Sequence, residues 1–317
     1  MAYTSGDTIL DDHYNLFAKG TTAGTGTFAT ANVDALWGNT NGDDIGYGQA
    51  SPLSAVSAGT TVTATQWANL LNRISTIASH QGSSITSISN PTAGTTITAL
   101  AALQTNINTI WNNRNNAAAS GSTYTTGGTV TRTANWQNTV TFTMSATFAN
   151  QESLDRFWNM GGRLTLTASL GTGSGNKHTE WADLINKLGT INATGKGTAK
   201  TIAGISYLGF EKKGGGGTPT VYVTSIGGHG YTSTYTESFR QYADTAPYTA
   251  NYISITRRIS TAGKVDFQVI FQDAANTNTD EIMTADLTVN LAAVLPSTTH
   301  LSNSWGSITL SGSQSGS

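Results

Sequence analysis

The spacing of apolar residues along this chain changes character near Gly121. Before that point, Trp67, Leu70, Leu71, Ile74, Ile77 and Ala78 fall at i, i+3, i+4, i+7, i+10 and i+11 until Gly82 intervenes, the stripe of an amphipathic helix. A second stripe begins near Thr96, where Leu100, Leu103, Ile107, Ile110 and Arg114 step by three and four beside Trp111, as in a short heptad seam. The stretch between them, residues 82–94, contains Asn90-Pro91 and reads as a loop, so a helical hairpin is predicted. An opening helix is predicted from Thr8 to Lys19, capped by Asp7 or Thr8. Residues 20–62 show no period and read as a surface excursion pinned by Phe28, Trp37 and Tyr47.

Beyond Gly121 the period becomes two. Val140, Phe142, Met144, Ala146 and Phe148 alternate with Thr and Ser; Leu164 to Leu170, Val265 to Phe271 and Ala285 to Leu291 repeat the pattern. One buried and one wet face is the mark of antiparallel sheets. Two short helices interrupt the strands. One runs from Gln151 to Met160 behind an Asn150 cap and stops at Gly161-Gly162; the other runs from Glu180 to Leu188 between Thr179 and Gly189. Trp158, Trp181, Leu184, Ile185 and Leu188 are expected to face the sheet. Residues 214–217 read as a flexible glycine tip, and residues 312–317 as a small polar tail that frays unless a neighbour holds it.

The predicted fold is therefore α+β and predominantly β. A helical hairpin region, residues 1–120, serves attachment or oligomerisation; an antiparallel β-sandwich of Greek-key or jelly-roll type, residues 121–317, carries the two inserted helices.

Composition sharpens this picture. Only 11% of the residues are charged, against about 25% in an ordinary globular chain, and Thr, Ser, Asn and Gly supply the missing polarity. The formal net charge is -2. A surface so poor in charge is suited to meeting other protein surfaces. With seven Trp, nine Phe and 11 Tyr the chain is too aromatic for disorder. Zero Cys excludes disulfides, thiolate metal sites and cysteine nucleophiles. No stretch is apolar enough for a membrane span, and Met1 to Gly6 has no signal-peptide character. Residues 1–120 hold three cations, Lys19, Arg73 and Arg114, against six Asp, so no basic stripe offers itself to nucleic acid.

Candidate chemistry is sparse. The run Gly171 to Thr179, GTGSGNKHT, sits where a phosphate loop would sit, but Asn176 and His178 occupy the positions that pattern gives to Gly and Ser or Thr, so it reads as a plain connection. His13, His80, His178, His229 and His300 are not at metal-ligand spacing, and Asp11-Asp12, Asp43-Asp44 and Asp280-Glu281 lack staggered oxygen ligands. No nucleophile elbow appears. No catalytic residue, cofactor or metal is expected. Two sets stand out as contact candidates. The seam Trp67, Leu70, Leu71, Ile74, Ile77, Leu100, Leu103, Ile107, Ile110 and Arg114 serves packing within one chain or a bundle between copies. The tyrosines Tyr222, Tyr231, Tyr235, Tyr242, Tyr248 and Tyr252 serve sheet packing, subunit contacts or a host-surface glycan.

Several segments together carry a family likeness: SGDTILDDHYN at the start, GDDIGYGQ at 42–49, TVTATQWANLLNRISTIASHQGSSIT at 61–86, RFWNMGGRLTLTASL at 156–170, YTANY at 248–252 and the ending LPSTTHLSNSWGSITLSGSQSGS. In this order, over nearly the whole chain, the sequence resembles virion structural proteins of tailed bacteriophages, above all those of phages infecting cyanobacteria. The resemblance implies a non-enzymatic virion component made in the host bacterial cytoplasm and located at the tail, in a fibre, baseplate or neck. A receptor-binding module for host-surface glycan and a capsid decoration protein are the alternatives. The implied partners are other tail proteins and further copies of the chain, a trimer first and a hexameric ring second. Zero Cys fits assembly in a reducing cytoplasm.

Overall fold

Four helices lead the first strand in the computed structural model, which describes residues 11–20, 31–38, 45–92, 100–195, 199–224, 232–274 and 282–316. They are α1 (Asp11–Lys19), α2 (Val33–Gly38), α3 (Ala64–Gln81) and α4 (Leu100–Asn112). Helix α3 starts in a capping box, Thr63 accepting from the Gln66 amide while the Gln66 side chain accepts from Thr63, and ends at Gly82 in the left-handed region. The seam packs inside the chain: Trp67, Leu70, Ile74, Ile77, Leu100, Leu103, Ile107 and Ile110 are buried, and Leu71 is half-buried against them. Arg114, half-buried just beyond α4, lies over Trp111 at 5.2 Å and donates to its carbonyl.

Two features of this region depart from the sequence reading. Helix α2 lies inside the stretch that shows no period, being too short at six residues to display one. The pairing of α3 with α4 is also not a tight antiparallel hairpin. The ends of both helices sit together, since Gln81 Nε2 donates to the Ile110 carbonyl at 2.8 Å and Asn113 Nδ2 to Ser83 Oγ at 2.9 Å. The chain after Gly82 doubles back along α3, held by Asn106, whose amide exchanges two hydrogen bonds with the Thr86 backbone.

The remaining elements are β1 (Ser120–Tyr124), β2 (Thr129–Arg132), β3 (Thr139–Thr147), α5 (Gln151–Asn159), β4 (Arg163–Leu170), α6 (Asn176–Leu188), β5 (Thr190–Ala193), β6 (Lys200–Ile202), β7 (Ile205–Tyr207), β8 (Phe210–Lys213), β9 (Val221–Tyr222), β10 (Thr236–Tyr242), β11 (Tyr252–Thr261), β12 (Lys264–Gln272), β13 (Leu287–Pro296) and β14 (Thr309–Gly316). One sheet runs β1-β13-β4-β5-β8, with β2 also on β13; the second runs β14-β3-β12-β11-β10-β9; β6 and β7 form a small hairpin. Every paired strand in the two large sheets is antiparallel. The fold is α+β, predominantly β, with the sheets arranged as a sandwich. One cluster of buried apolar residues extends from Tyr14 through both sheets to Leu310.

Alternation places Val140, Phe142, Met144, Val265, Phe267, Val269, Phe271, Ile253 and Ile255 inward from the second sheet, and Leu164, Leu166, Leu287, Val289 and Leu291 inward from the first. Helix α6 packs on β4 of one sheet and on β10 and β11 of the other. Its Trp181 meets Trp136 edge-on at 4.9 Å and Phe271 at 6.1 Å. It begins at Asn176, one turn earlier than the Thr179 cap predicts, because Lys177 is drawn into the core. Lys177 is 0% exposed and ion-paired with Asp273, 1% exposed, just after β12. The lysine of the glycine-rich run is thus committed to a structural contact.

Two further expectations are corrected. Residues 312–316 form most of strand β14, paired in unbroken register with β3. Gly312 permits the approach, since a Cβ there would lie 2.6 Å from Val130 and 2.8 Å from Met144. Buried Arg132 then clamps the strand, donating to Gln314 Oε1 at 2.8 Å and the Gly316 carbonyl at 3.0 Å. The glycine run is also tied down: the Gly216 carbonyl accepts from Lys212 and Gln241, and Gly215 packs so close to the Lys187 carbonyl that a Cβ would sit 2.4 Å from it. Thr8, Phe28 and Thr96 lie outside the described residues.

Removing one partner of a buried ion pair strands the other charge, so Lys177→Ala or Asp273→Ala is expected to cost about 3–5 kcal/mol in denaturant unfolding. The apolar replacement Lys177→Met with Asp273→Leu is expected to recover most of that loss. Equal damage in single and double variants would show that the pair does more than neutralise its own burial.

Candidate functional site

The outer face of the second sheet brings Tyr235, Tyr242 and Tyr252, half of the tyrosine set, together. Tyr242 and Tyr252 are register partners across β10 and β11, with rings 5.2 Å apart. The Arg240 guanidinium lies 4.6 Å from the Tyr252 ring centre, donates to the Tyr242 hydroxyl at 3.3 Å and pairs with Glu237 at 2.8 Å. Farther along, Arg258 covers the Tyr235 ring at 4.2 Å and donates to Asp266 at 3.1 Å. Burial pushes the Asp266 carboxyl up, but hydrogen bonds from Ser145 and Arg258 and the Lys264 charge hold it below its ordinary value. Cation–π contacts and ion pairs thus form a ladder across β10, β11, β12 and β3.

The other tyrosines separate from this ladder. Tyr222, 40% exposed, meets Phe239 edge-on, and its hydroxyl accepts from the Lys212 amide at 2.7 Å. Tyr248 is buried. Tyr231 lies outside the described residues, as do His229, Asp43-Asp44 and Asp280-Glu281.

A carboxylate group that sequence reasoning did not single out forms where Glu180, Asp183 and Asp244 converge. Its centre is already neutralised: Lys187 pairs with Asp183 one turn before it and with Asp244 at 2.6 Å, which holds Asp244 below the usual carboxylate range. The arrangement fastens α6 to the end of β10. Asp11-Asp12 opens α1, where acids suit the helix dipole.

A second polar centre joins the helical region to the sandwich. Fully buried Tyr47 donates to the Arg114 carbonyl at 3.0 Å and accepts from Gln81 Nε2 at 2.8 Å. Its carbonyl receives the Ser304 hydroxyl, while Gln49 and Ser302 exchange two hydrogen bonds at 2.8 and 2.9 Å. Asn159 of α5 donates to the Gly46 carbonyl at 3.0 Å. His80, 3% exposed, packs edge-on against Tyr47 at 5.2 Å, and its Nε2 has no hydrogen-bond partner among the described residues. The block GDDIGYGQ carries this centre, but nothing in its spacing announces partners 34 to 257 residues away.

Comparison with family models, with curated proteins and with solved structures finds no match to this chain.

Burial lowers the His80 pKa from 6.5 to about 4, with His300 nearby adding to the effect. Between those values the unfolded chain binds a proton that the folded chain does not, so stability is full above pH 6.5 and falls as the pH drops toward 4. The loss by pH 4 is roughly 3 kcal/mol. Urea melts at pH 7.5 and 4.5 test this: His80→Phe, which keeps the ring packing, is expected to remove that part of the acid loss.

Proposed function

We propose that this chain is a non-enzymatic structural component of a tailed-bacteriophage particle, placed at the tail in a fibre, baseplate or neck and assembled through symmetric contacts with its own copies. The observation that carries the reading is the surface around β14. Thr139, Thr141, Thr143, Ser311, Ser313 and Ser315 lie on the outer face of β3 and β14, and β14 closes the sheet without a charge, a proline or a register break. Monomeric β proteins normally protect an edge strand with one of those devices. A terminal strand with no charge of its own, bordered by uncharged hydroxyls, fits cover by a neighbouring subunit. The ordered likeness to tailed-phage virion proteins supports the same reading and favours a place at the tail. Trimeric association is the first arrangement to test, a ring of six the second.

Among the described residues no helix is long and apolar enough to cross a membrane. Assembly within a protein particle requires none.

Mass spectrometry of particles purified from the encoding phage is expected to find the chain in multiple copies, with gold label against its C-terminal region at the tail. Label on capsid faces would move it to the shell, and absence from particles would end the proposal. Ser313→Lys places a charge on the exposed face of the edge strand. It is expected to block self-association in light scattering while changing monomer stability by less than about 0.5 kcal/mol.

A further inference from the structure

A groove of about 410 Å³ opens between α3 and the segment around Pro52, on the helical region and away from the tyrosine ladder. That volume falls within the roughly 300–1,000 Å³ of small-molecule sites. On one wall Asn69 and Asn72 stand three residues apart on α3, both exposed, and neither side chain has a hydrogen-bond partner among the described residues. Ser51, Ser54 and Pro52 line the facing wall, and Trp37 also borders the groove.

Tyr14 also lines the groove and gives it a purpose beyond shape. It is 1% exposed, fixed edge-on against Trp67 at 5.6 Å, yet its hydroxyl has no hydrogen-bond partner among the described residues. The ring is buried but the hydroxyl opens into the groove, where it is free to meet a polar group of an occupant. Burial, and then the Asp34 charge, push its pKa up, so the hydroxyl keeps its proton and can donate. Arg73 completes the lining. Its guanidinium lies 4.4 Å from the Trp37 ring centre and donates to Asp34 at 3.3 Å and to the Ser51 carbonyl at 2.6 Å, while Lys19 pairs with the same carboxylate at 2.6 Å. The cations are partly neutralised by Asp34, which disfavours a small anion as the occupant.

We propose that this groove binds a short saccharide. A sugar ring presents donors and acceptors around its whole rim and apolar C–H faces above and below. The groove matches this with amides on one wall, hydroxyls on the other and an apolar border of Trp37 and Pro52. An extended peptide would offer hydrogen bonds along two edges and need apolar pockets for alternate side chains. Asn69, Asn72, Ser51 and Ser54 provide no such pockets.

Saturation-transfer NMR on the full chain, with glucose, galactose, mannose, rhamnose, N-acetylglucosamine, maltose, cellobiose and lactose as probes, is the test. At least one probe is expected to bind saturably at millimolar concentration. Asn72→Leu and Tyr14→Phe are each expected to weaken that binding at least tenfold without lowering the melting temperature, whereas Tyr242→Ala on the sheet face is expected to leave it unchanged. Asn72 is exposed, so its replacement remains informative if the Tyr14 variant folds poorly. Absence of saturable binding, binding that survives both groove variants, or loss through Tyr242→Ala would overturn the proposal. Displacement of the sugar by short extended peptides of higher affinity would reassign the groove to a protein segment. The assay uses the isolated chain, so its outcome is independent of the chain's place in a particle.

Discussion

Burial of two alternating sheet faces against each other is the constraint from which the rest of this molecule follows. Once Phe142, Met144, Phe267, Val269 and Phe271 face Leu164, Leu166, Val289 and Leu291, the period of two sends every intervening residue outward. Those outward positions are chiefly Thr and Ser along β3 and β14, residues that suit a pleat without adding charge. Core and exterior are therefore one decision. Where the faces diverge, α6 fills the gap with Trp181, Leu184 and Leu188, and the Lys177–Asp273 pair pins its first turn to the end of β12. The pair is weak evidence for extra stability, since its attraction offsets its own desolvation. What it contributes is position: a lysine that must find its carboxylate leaves α6 one place to dock.

The helical region is attached by a different physics. It meets the sandwich through buried hydrogen bonds as much as through apolar area: Gln49 reaches the Ser302 backbone, Ser304 reaches the Tyr47 carbonyl and Asn159 reaches the Gly46 carbonyl, while Tyr47 and Gln81 tie the helical side of the junction together. Such networks specify one geometry, because a slip leaves several buried groups unmet at once. His80 is the weak member, held neutral by burial beside Tyr47. Association of the two regions is thereby tied to pH through one ring.

The parts legible in the sequence are those in which a face repeats. The alternation of β3, β4, β12 and β13 and the stripes of α3 and α4 each span enough residues for a period to appear, and the caps at Asn150 and Gly82 name their own ends. Six residues of α2 are too few for that signal. Strand β14 hides because Ser and Gly carry little strand preference; its order comes from β3 and Arg132, which are distant in sequence. The early start of α6 was hidden for a similar reason, as nothing local to Lys177 predicts a carboxylate at Asp273. Of the candidate contact residues, the sequence supplied the tyrosines but not their guanidinium partners, and the groove beside Tyr14 depends on segments that share no motif.

With only 16 cations and 18 acids, where the charges go is informative. Many are committed inside the chain: Lys19 and Arg73 to Asp34, Lys177 to Asp273, Lys187 to Asp183 and Asp244, Arg240 to Glu237, and Arg258 and Lys264 to Asp266. Charges in this molecule act as local fasteners, at an N-terminal node, at the ends of α6 and along one side of the second sheet. The opposite side of that sheet, toward β14, is left to hydroxyls. A hydroxyl surface desolvates at far lower cost than a charged one, so the division of labour that fastens the fold also leaves the outer face of β3 and β14 the part of this sheet least costly to cover.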